Sequence, residues 1–170
     1  MRKFTADQML AAFELQQMLY DFAYELDHGA RDVGRFYAED GAFRTGGINV
    51  EGRAGVQAFY DTRNENVKKY QKGGERTGRH IFTNVRVVFD GADAGAEPTR
   101  ATIHFTNINY AGEGPAPVQG LGSPSAIADG VMECRREADG QWRFTLFAPK
   151  QALIGEDDFM KLMLALNAKK

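Results

Sequence analysis

Residues 5–29, TADQMLAAFELQQMLYDFAYELDHG, are the stretch from which the fold is read. Thr5 followed by Gln8 is a capping-box pattern, so a helix is expected from about residue 6. His28-Gly29 is a plausible stop, which places the last helical residue near Asp27. Leu15, Leu19, Phe22 and Leu26 follow 4-3-4 spacing and form an apolar stripe. Glu14, Asp21 and Glu25 make an acidic face expected to meet solvent. Phe13, Gln17, Tyr20, Tyr24 and Asp27 form a third stripe, roughly 135° round from the leucines by helical arithmetic. That stripe mixes rings with polar groups and is neither a core face nor a wet one.

Downstream, a short helix is expected over Asp32–Ala38, with Glu39-Asp40-Gly41 as a turn. Strands fit Ala42–Thr45 and Ile48–Glu51, joined by the hairpin signal Gly46-Gly47. A second helix is expected from Ala54 to about Asn66, with Val56, Phe59 and Tyr60. The basic stretch Val67–Gly78 reads as a solvated loop rather than a phosphate site, because Glu75 interrupts it. Arg79–Asp90, Thr99–Tyr110, Ala126–Ala138 and Gln141–Leu153 read as long strands of one antiparallel sheet. Asp139-Gly140 turns the last two. Asp157–Leu166 is amphipathic, with Phe159, Leu162, Met163 and Leu166 at helical spacing. It would close the core, cross an opening or meet a partner. Gly112–Ala126, rich in Gly and Pro, reads as a mobile flap or a disordered loop; Gly120–Gly122 lacks the Lys and helix start of a phosphate loop. Helices followed by a run of strands predict an α+β fold, with helices packed on one face of a curved sheet.

Composition narrows the function. The 170 residues carry 21 basic and 23 acidic side chains, a net charge of −2. Such a balance lacks the positive excess of a nucleic-acid binder. No apolar run is long enough for a membrane span, and polar residues interrupt the segment after Met1-Arg2-Lys3 that a signal peptide would need. The single Cys134 allows no internal disulfide. A single cytoplasmic domain is therefore expected over residues 1–170, with a core of about 5–155 and a helical extension over 156–170. His28, His80 and His104 show no metal-ligand spacing, so neither metal nor cofactor is expected. The chain holds 12 Phe and 6 Tyr beside 1 Trp, and those rings must line a core or a pocket.

Candidate chemistry gathers where polar residues interrupt the strands. Thr99–Tyr110 carries Thr102, His104, Thr106 and Tyr110 on one parity and Ile103, Phe105, Asn107 and Asn109 on the other. Arg79–Asp90 is equally mixed, so neither strand has a clean wet face. Inward polar groups need partners or a cavity. Asp27 ends the mixed stripe of the first helix and His80 opens the first long strand. A carboxylate beside an imidazole makes a general base by fixing the tautomer and stabilising the imidazolium. Tyr20 and Tyr24 would offer phenols to the same space. The same residues also read as a helix cap, a core histidine and two core tyrosines.

Tyr20…Tyr24-Glu25-Leu26-Asp27, Phe36–Phe43, Val50–Gly55, Arg79–Val85 and Gly140–Phe144 occur in an order that resembles SnoaL-like proteins. These are members of the nuclear-transport-factor-two-like (cystatin-like) superfamily. The resemblance implies a cone-shaped α+β barrel, a curved antiparallel sheet wrapped around N-terminal helices with an internal cavity. The sharper similarity is to the branch of scytalone dehydratase, hexachlorocyclohexane dehydrochlorinase and bile-acid dehydratase. Asp27 and His80 fall on that branch's Asp and His positions, and Tyr24 approximates its helix tyrosine. The resemblance therefore implies a cofactor-independent lyase, of dehydratase or retro-aldol type, acting on a small aromatic or polycyclic hydroxylated molecule. Asp27, His80 and Tyr24 are its expected catalytic residues, with Tyr20, Phe43, Phe59, Phe82, Asn84, His104 and Tyr110 as expected substrate contacts. A polyketide cyclase, an isomerase or a non-catalytic ligand carrier are the alternatives on the same fold. A homo-oligomer, dimer or trimer, is also implied.

Overall fold

Helix α1 runs Ala6–Asp27 in the computed structural model, which describes residues 3–90, 97–120 and 122–167. Its capping box is formed: the Thr5 hydroxyl accepts from the Gln8 N–H at 3.2 Å, and the Gln8 side chain accepts from the Thr5 N–H at 3.1 Å. A cap of this kind contributes about 1 kcal/mol. Ala11, Leu15, Leu19 and Phe22 are buried, so the leucine stripe is the inward face. Two of the acidic residues anchor the helix rather than meeting solvent. Glu14 accepts from Arg136 and from the Trp142 indole, and Glu25 accepts from the backbone of Arg31 and Asp32.

A 3-10 turn at Val33–Phe36 replaces the short helix expected over Asp32–Ala38, because Tyr37 already belongs to β1 (Tyr37–Thr45). β2 (Ile48–Glu51) follows the Gly46-Gly47 turn, and α2 (Arg53–Tyr70) is longer than expected. α2 and the start of β3 (Arg76–Phe89) take in most of the basic stretch. β4 (Arg100–Glu113), β5 (Ala126–Arg136), β6 (Trp142–Ile154) and α3 (Asp158–Asn167) complete the chain. The sheet order is β2-β1-β6-β5-β4-β3. β1 runs parallel to β6 while the other pairs are antiparallel, so the sheet is mixed and open rather than wholly antiparallel. The architecture is the expected α+β cone. Met1-Arg2, Leu121 of the Gly120–Gly122 turn and the last three residues of the C-terminal extension lie outside the described residues. Among the described residues, no helix is long and apolar enough to cross a membrane.

Phe22 sits where α1 meets the sheet. Its ring lies 5.5 Å from Phe36, 5.2 Å from Phe144, 5.4 Å from Phe147 and 6.3 Å from Tyr37, all near edge-on. Edge-on packing places positive ring edges against negative faces, which favours one mutual arrangement over a sliding contact.

A bulge in β3 determines what each strand residue faces. Pairing passes from Thr83↔Thr106 to Arg86↔His104, so β3 spends one residue more than β4, and Asn84 adopts φ +53°. One extra residue exchanges the two faces of a strand. Before the bulge His80 and Phe82 point to the helices; after it Val85, Val87 and Phe89 do. The mixed parity of Arg79–Asp90 has this cause. β4 has no such inversion against β5: Ala101, Ile103 and Phe105 are buried, Asn107 and Asn109 continue their face, and His104 and Tyr110 lie on the other.

Phe105 pairs with Gly130 across β4 and β5, and its ring tip occupies the space that a Cβ added at Gly130 would need. Gly130→Ala should therefore lower the thermal midpoint, by a destabilisation of about 1–3 kcal/mol for overpacking a core. Adding Phe105→Leu, which removes the obstructing ring, should make the pair less destabilised than the sum of the single changes.

Candidate active site

A cavity of about 710 Å³ opens between the C-terminal end of α1, α2, the starts of β2 and β3, the end of β4 and α3. Its volume lies in the range of pockets for small organic ligands. Leu26, Phe43, Ile48, Phe59, Val67, Phe159 and Met163 supply apolar walls. Asp27, Tyr60, Arg63, Arg76, His80, Asn109 and Asp157 supply the polar groups.

Asp27, the last residue of α1, is held by one residue of β3. The His80 backbone N–H donates to both carboxylate oxygens, at 3.0 and 3.1 Å, and the ring Nδ1 lies 2.7 Å from Oδ1. The side chains are 9% and 17% exposed respectively. A carboxylate only accepts, so it selects the tautomer with the proton on Nδ1. Nε2 is then the basic nitrogen, and no protein group among the described residues bonds it. The ring lines the cavity, so Nε2 is the base available there.

Three further features surround this pair. Tyr60 is buried, and burial pushes its phenol up to about 12, with Arg63 acting the other way. It therefore stays a neutral hydrogen-bond donor at working pH. Asn109 pairs with His80 across β3 and β4, and its buried Oδ1 has no protein partner among the described residues. Arg76 donates to Asp157 at 2.5 Å, with side chains 8% and 6% exposed, and its guanidinium lies 4.8 Å above Phe159. Asp157 also accepts from the Met160 N–H and so starts α3. The pair thereby seats α3 at the cavity.

Of the residues expected from the sequence, the structure brings Asp27, His80, Phe43 and Phe59 to the cavity. Tyr24 and Tyr20 are 65% and 47% exposed on the outer side of α1, and Tyr24 stacks on His28 at 3.9 Å. The inward leucine stripe turns them away; Asp27 reaches the sheet because it lies one residue past Leu26. Phe82 is core, packed on Phe105 at 4.9 Å. Asn84 is exposed in the bulge, and His104 and Tyr110 are on the outer sheet face. None of the described residues of Gly112–Ala126 lines the cavity, which α3 covers instead. Tyr60, Arg63, Arg76 and Asn109 were not expected there. The signal lay in α2, where Val56, Tyr60, Arg63 and Val67 share one face at 4-3-4 spacing. Among the described residues no three His, Cys, Asp or Glu side chains are grouped to hold a metal ion.

The family model for SnoaL-like domains matches residues 7–148, and the chain belongs to that family. A search of curated protein sequences gives no match. Solved structures with the same fold include one from Catenulispora acidiphila in complex with S-DNPA, 20% identical over 92% of this chain and 99% of that one, with a TM-score of 0.66. A protein provisionally named a scytalone dehydratase, from Novosphingobium aromaticivorans, is 15% identical over 91% and 92%, with a TM-score of 0.68. A Nostoc punctiforme protein with a cystatin-like fold is 16% identical over 88% and 95%, with a TM-score of 0.61.

Because the Tyr60 phenol is raised in the folded state, its contribution to stability is intact below about pH 10 and is lost as the pH climbs towards about 12. Tyr60→Phe should lose less thermal stability across that window than the parent protein. An absorbance titration of tyrosinate should show one fewer late-ionising phenol, leaving Tyr37, which burial also raises, as the last.

Proposed function

We propose that this protein is a cofactor-independent lyase of dehydratase type, acting on a small hydroxylated aromatic molecule. The observation that carries the reading is the Asp27–His80 pair, bonded at 2.7 Å with the second ring nitrogen turned to an apolar-walled cavity. Nε2 of His80 takes a proton from the carbon next to a carbonyl, and Asp27 stabilises the imidazolium that forms. The electron pair left on carbon becomes the new double bond as the hydroxyl on the neighbouring carbon departs. The imidazolium returns its proton to that hydroxyl, which leaves as water, and the histidine is regenerated. Tyr60, neutral and facing the cavity, donates to the carbonyl oxygen as charge develops there. It takes the part for which Tyr24 was the sequence's candidate. The provisional name of the Novosphingobium relative is consistent with this chemistry. A double-bond isomerase would use the same proton abstraction and return the proton to a different carbon, so the products tell the two apart.

The test is turnover of a panel of hydroxylated aromatic carbonyl compounds, with and without a chelator, followed by product mass. Loss of 18 mass units (one water, about the mass expected for a dehydratase) with activity unaffected by the chelator is the expected result; an unchanged mass with a shifted double bond replaces the lyase by an isomerase. His80→Ala should lower turnover by about 10²–10⁴-fold, the usual contribution of a general base, with the thermal midpoint nearly unchanged. Tyr60→Phe should lower it too, whereas Tyr24→Phe should leave it as it was. An active His80→Ala protein would remove the assignment.

A further inference from the structure

The charged groups around the cavity are paired with one another, apart from Arg31, Glu75 and Arg63. Arg76 is bonded to Asp157, Lys68 to Glu65 and Asp27 to His80. Arg31 and Glu75 are exposed residues of the lining. Arg63 alone among the enclosed ones has no hydrogen bond or ion pair to any described residue, although it projects from the inward face of α2 between Tyr60 and Val67.

That position is costly. Burial pushes the guanidinium below its ordinary value, and Arg76 does so further; Tyr60, Asp157 and Asp27 act in the opposite sense without bonding it. A guanidinium nevertheless keeps its charge at neutral pH and carries donors in a planar fork. A half-buried cation that lines a cavity and has no partner among the described residues is placed to meet a ligand that supplies one. The fork matches a carboxylate, which it binds through two parallel N–H···O bonds. The cavity has the apolar walls an aryl body needs, from Phe43, Phe59 and Phe159, and His80 lines the same space.

We propose that Arg63 anchors the carboxylate of an aryl acid, so that the substrate of this site is an aromatic molecule with an acid group remote from the carbon that His80 deprotonates. The assignment rests on the cavity being the active site and deepens that reading by naming the substrate class. It makes Arg63 a binding and orienting group: the acid fixes one end of the molecule, and the reacting carbon is delivered to Nε2.

Calorimetric binding of naphthylacetate, naphthylacetamide and naphthol to the His80→Ala protein tests the anchor without turnover. The acid should bind about 10-fold or more tighter than the amide, as expected when a charge-assisted pair replaces a neutral one. Arg63→Met should abolish that preference, and Arg63→Lys should keep part of it. Because Arg63 has no partner among the described residues to leave stranded, Arg63→Met should also keep or raise the thermal midpoint; a structural arginine would do the reverse. An acid that binds no better than the amide or the naphthol, a preference that survives Arg63→Met, or an unfolded Arg63→Met protein would each overturn the proposal. Binding of the acid through Arg63 in a parent protein that turns over nothing would sink the lyase reading and leave the anchor standing.

Discussion

A carboxylate at the end of a long helix has to be satisfied if it is to be buried, and in this protein one residue does it. Asp27 receives the His80 backbone N–H on both oxygens and the ring Nδ1 on one. An unpaired carboxylate at that depth would be far costlier than the bonds themselves are worth. The constraint therefore locks the last turn of α1 to the first residues of β3, which are separated by 53 positions in the chain. Once those two ends are joined, the direction of α1 over the sheet follows, and with it the placement of Phe22 among Phe36, Tyr37, Phe144 and Phe147. The cavity is the space left beyond the clamp, where α1 has ended and only α2 and α3 remain to cover the sheet.

The order of elements was legible because local signals mark it. Thr5 and Gln8 start α1, Gly46-Gly47 turns the first hairpin, and Asp139-Gly140 turns the last. Gly140 takes the positive φ, +79°, that such a turn asks of it. The dyad was legible too, since Asp27 and His80 stand at the ends of recognisable segments. What stayed hidden depended on phase and on long-range pairing. The bulge at Asn84 is one residue in fourteen, yet it inverts the faces of β3. The parallel pairing of β1 with β6 joins segments about a hundred residues apart and leaves no local trace. Tyr20 and Tyr24 were misplaced because a stripe of rings was taken to face inward, when the leucines had already claimed that face. Arg63 was hidden by its own charge: the solvent-exposed reading of an arginine masked its place in the apolar stripe of α2.

The polar groups of the cavity differ in how the protein treats them. Arg76 and Asp157 are a closed pair with little exposure, and such pairs hold geometry more than they add stability. Here the geometry held is the seat of α3, whose first turn Asp157 also starts. Asn109 Oδ1 and the Arg63 guanidinium instead have no partner among the described residues. A folded chain under selection for stability alone would have closed both. These open polar groups share one lined space with a held imidazole, an arrangement that stability alone does not call for.

The bulge at Asn84 also divides the molecule into two regimes. On one side of it, Ile103, Phe105, Val87 and Phe89 belong to the same buried cluster as the leucines of α1, and a change in volume there is felt by close-packed neighbours. On the other, the cavity walls pack on one another along one side, as Phe43 does on Phe59 at 5.4 Å and on Tyr60 at 6.1 Å, and border open space along the other. Phe43 and Tyr60 belong to the core as well as to the cavity, so a change at either is felt in both, whereas Val67 and Met163 line the space outside the core cluster. The core thus shares some of its side chains with the cavity and leaves others to the cavity alone. Such a division lets the space be reshaped one side chain at a time while the clamp that holds the His80 imidazole stays in register.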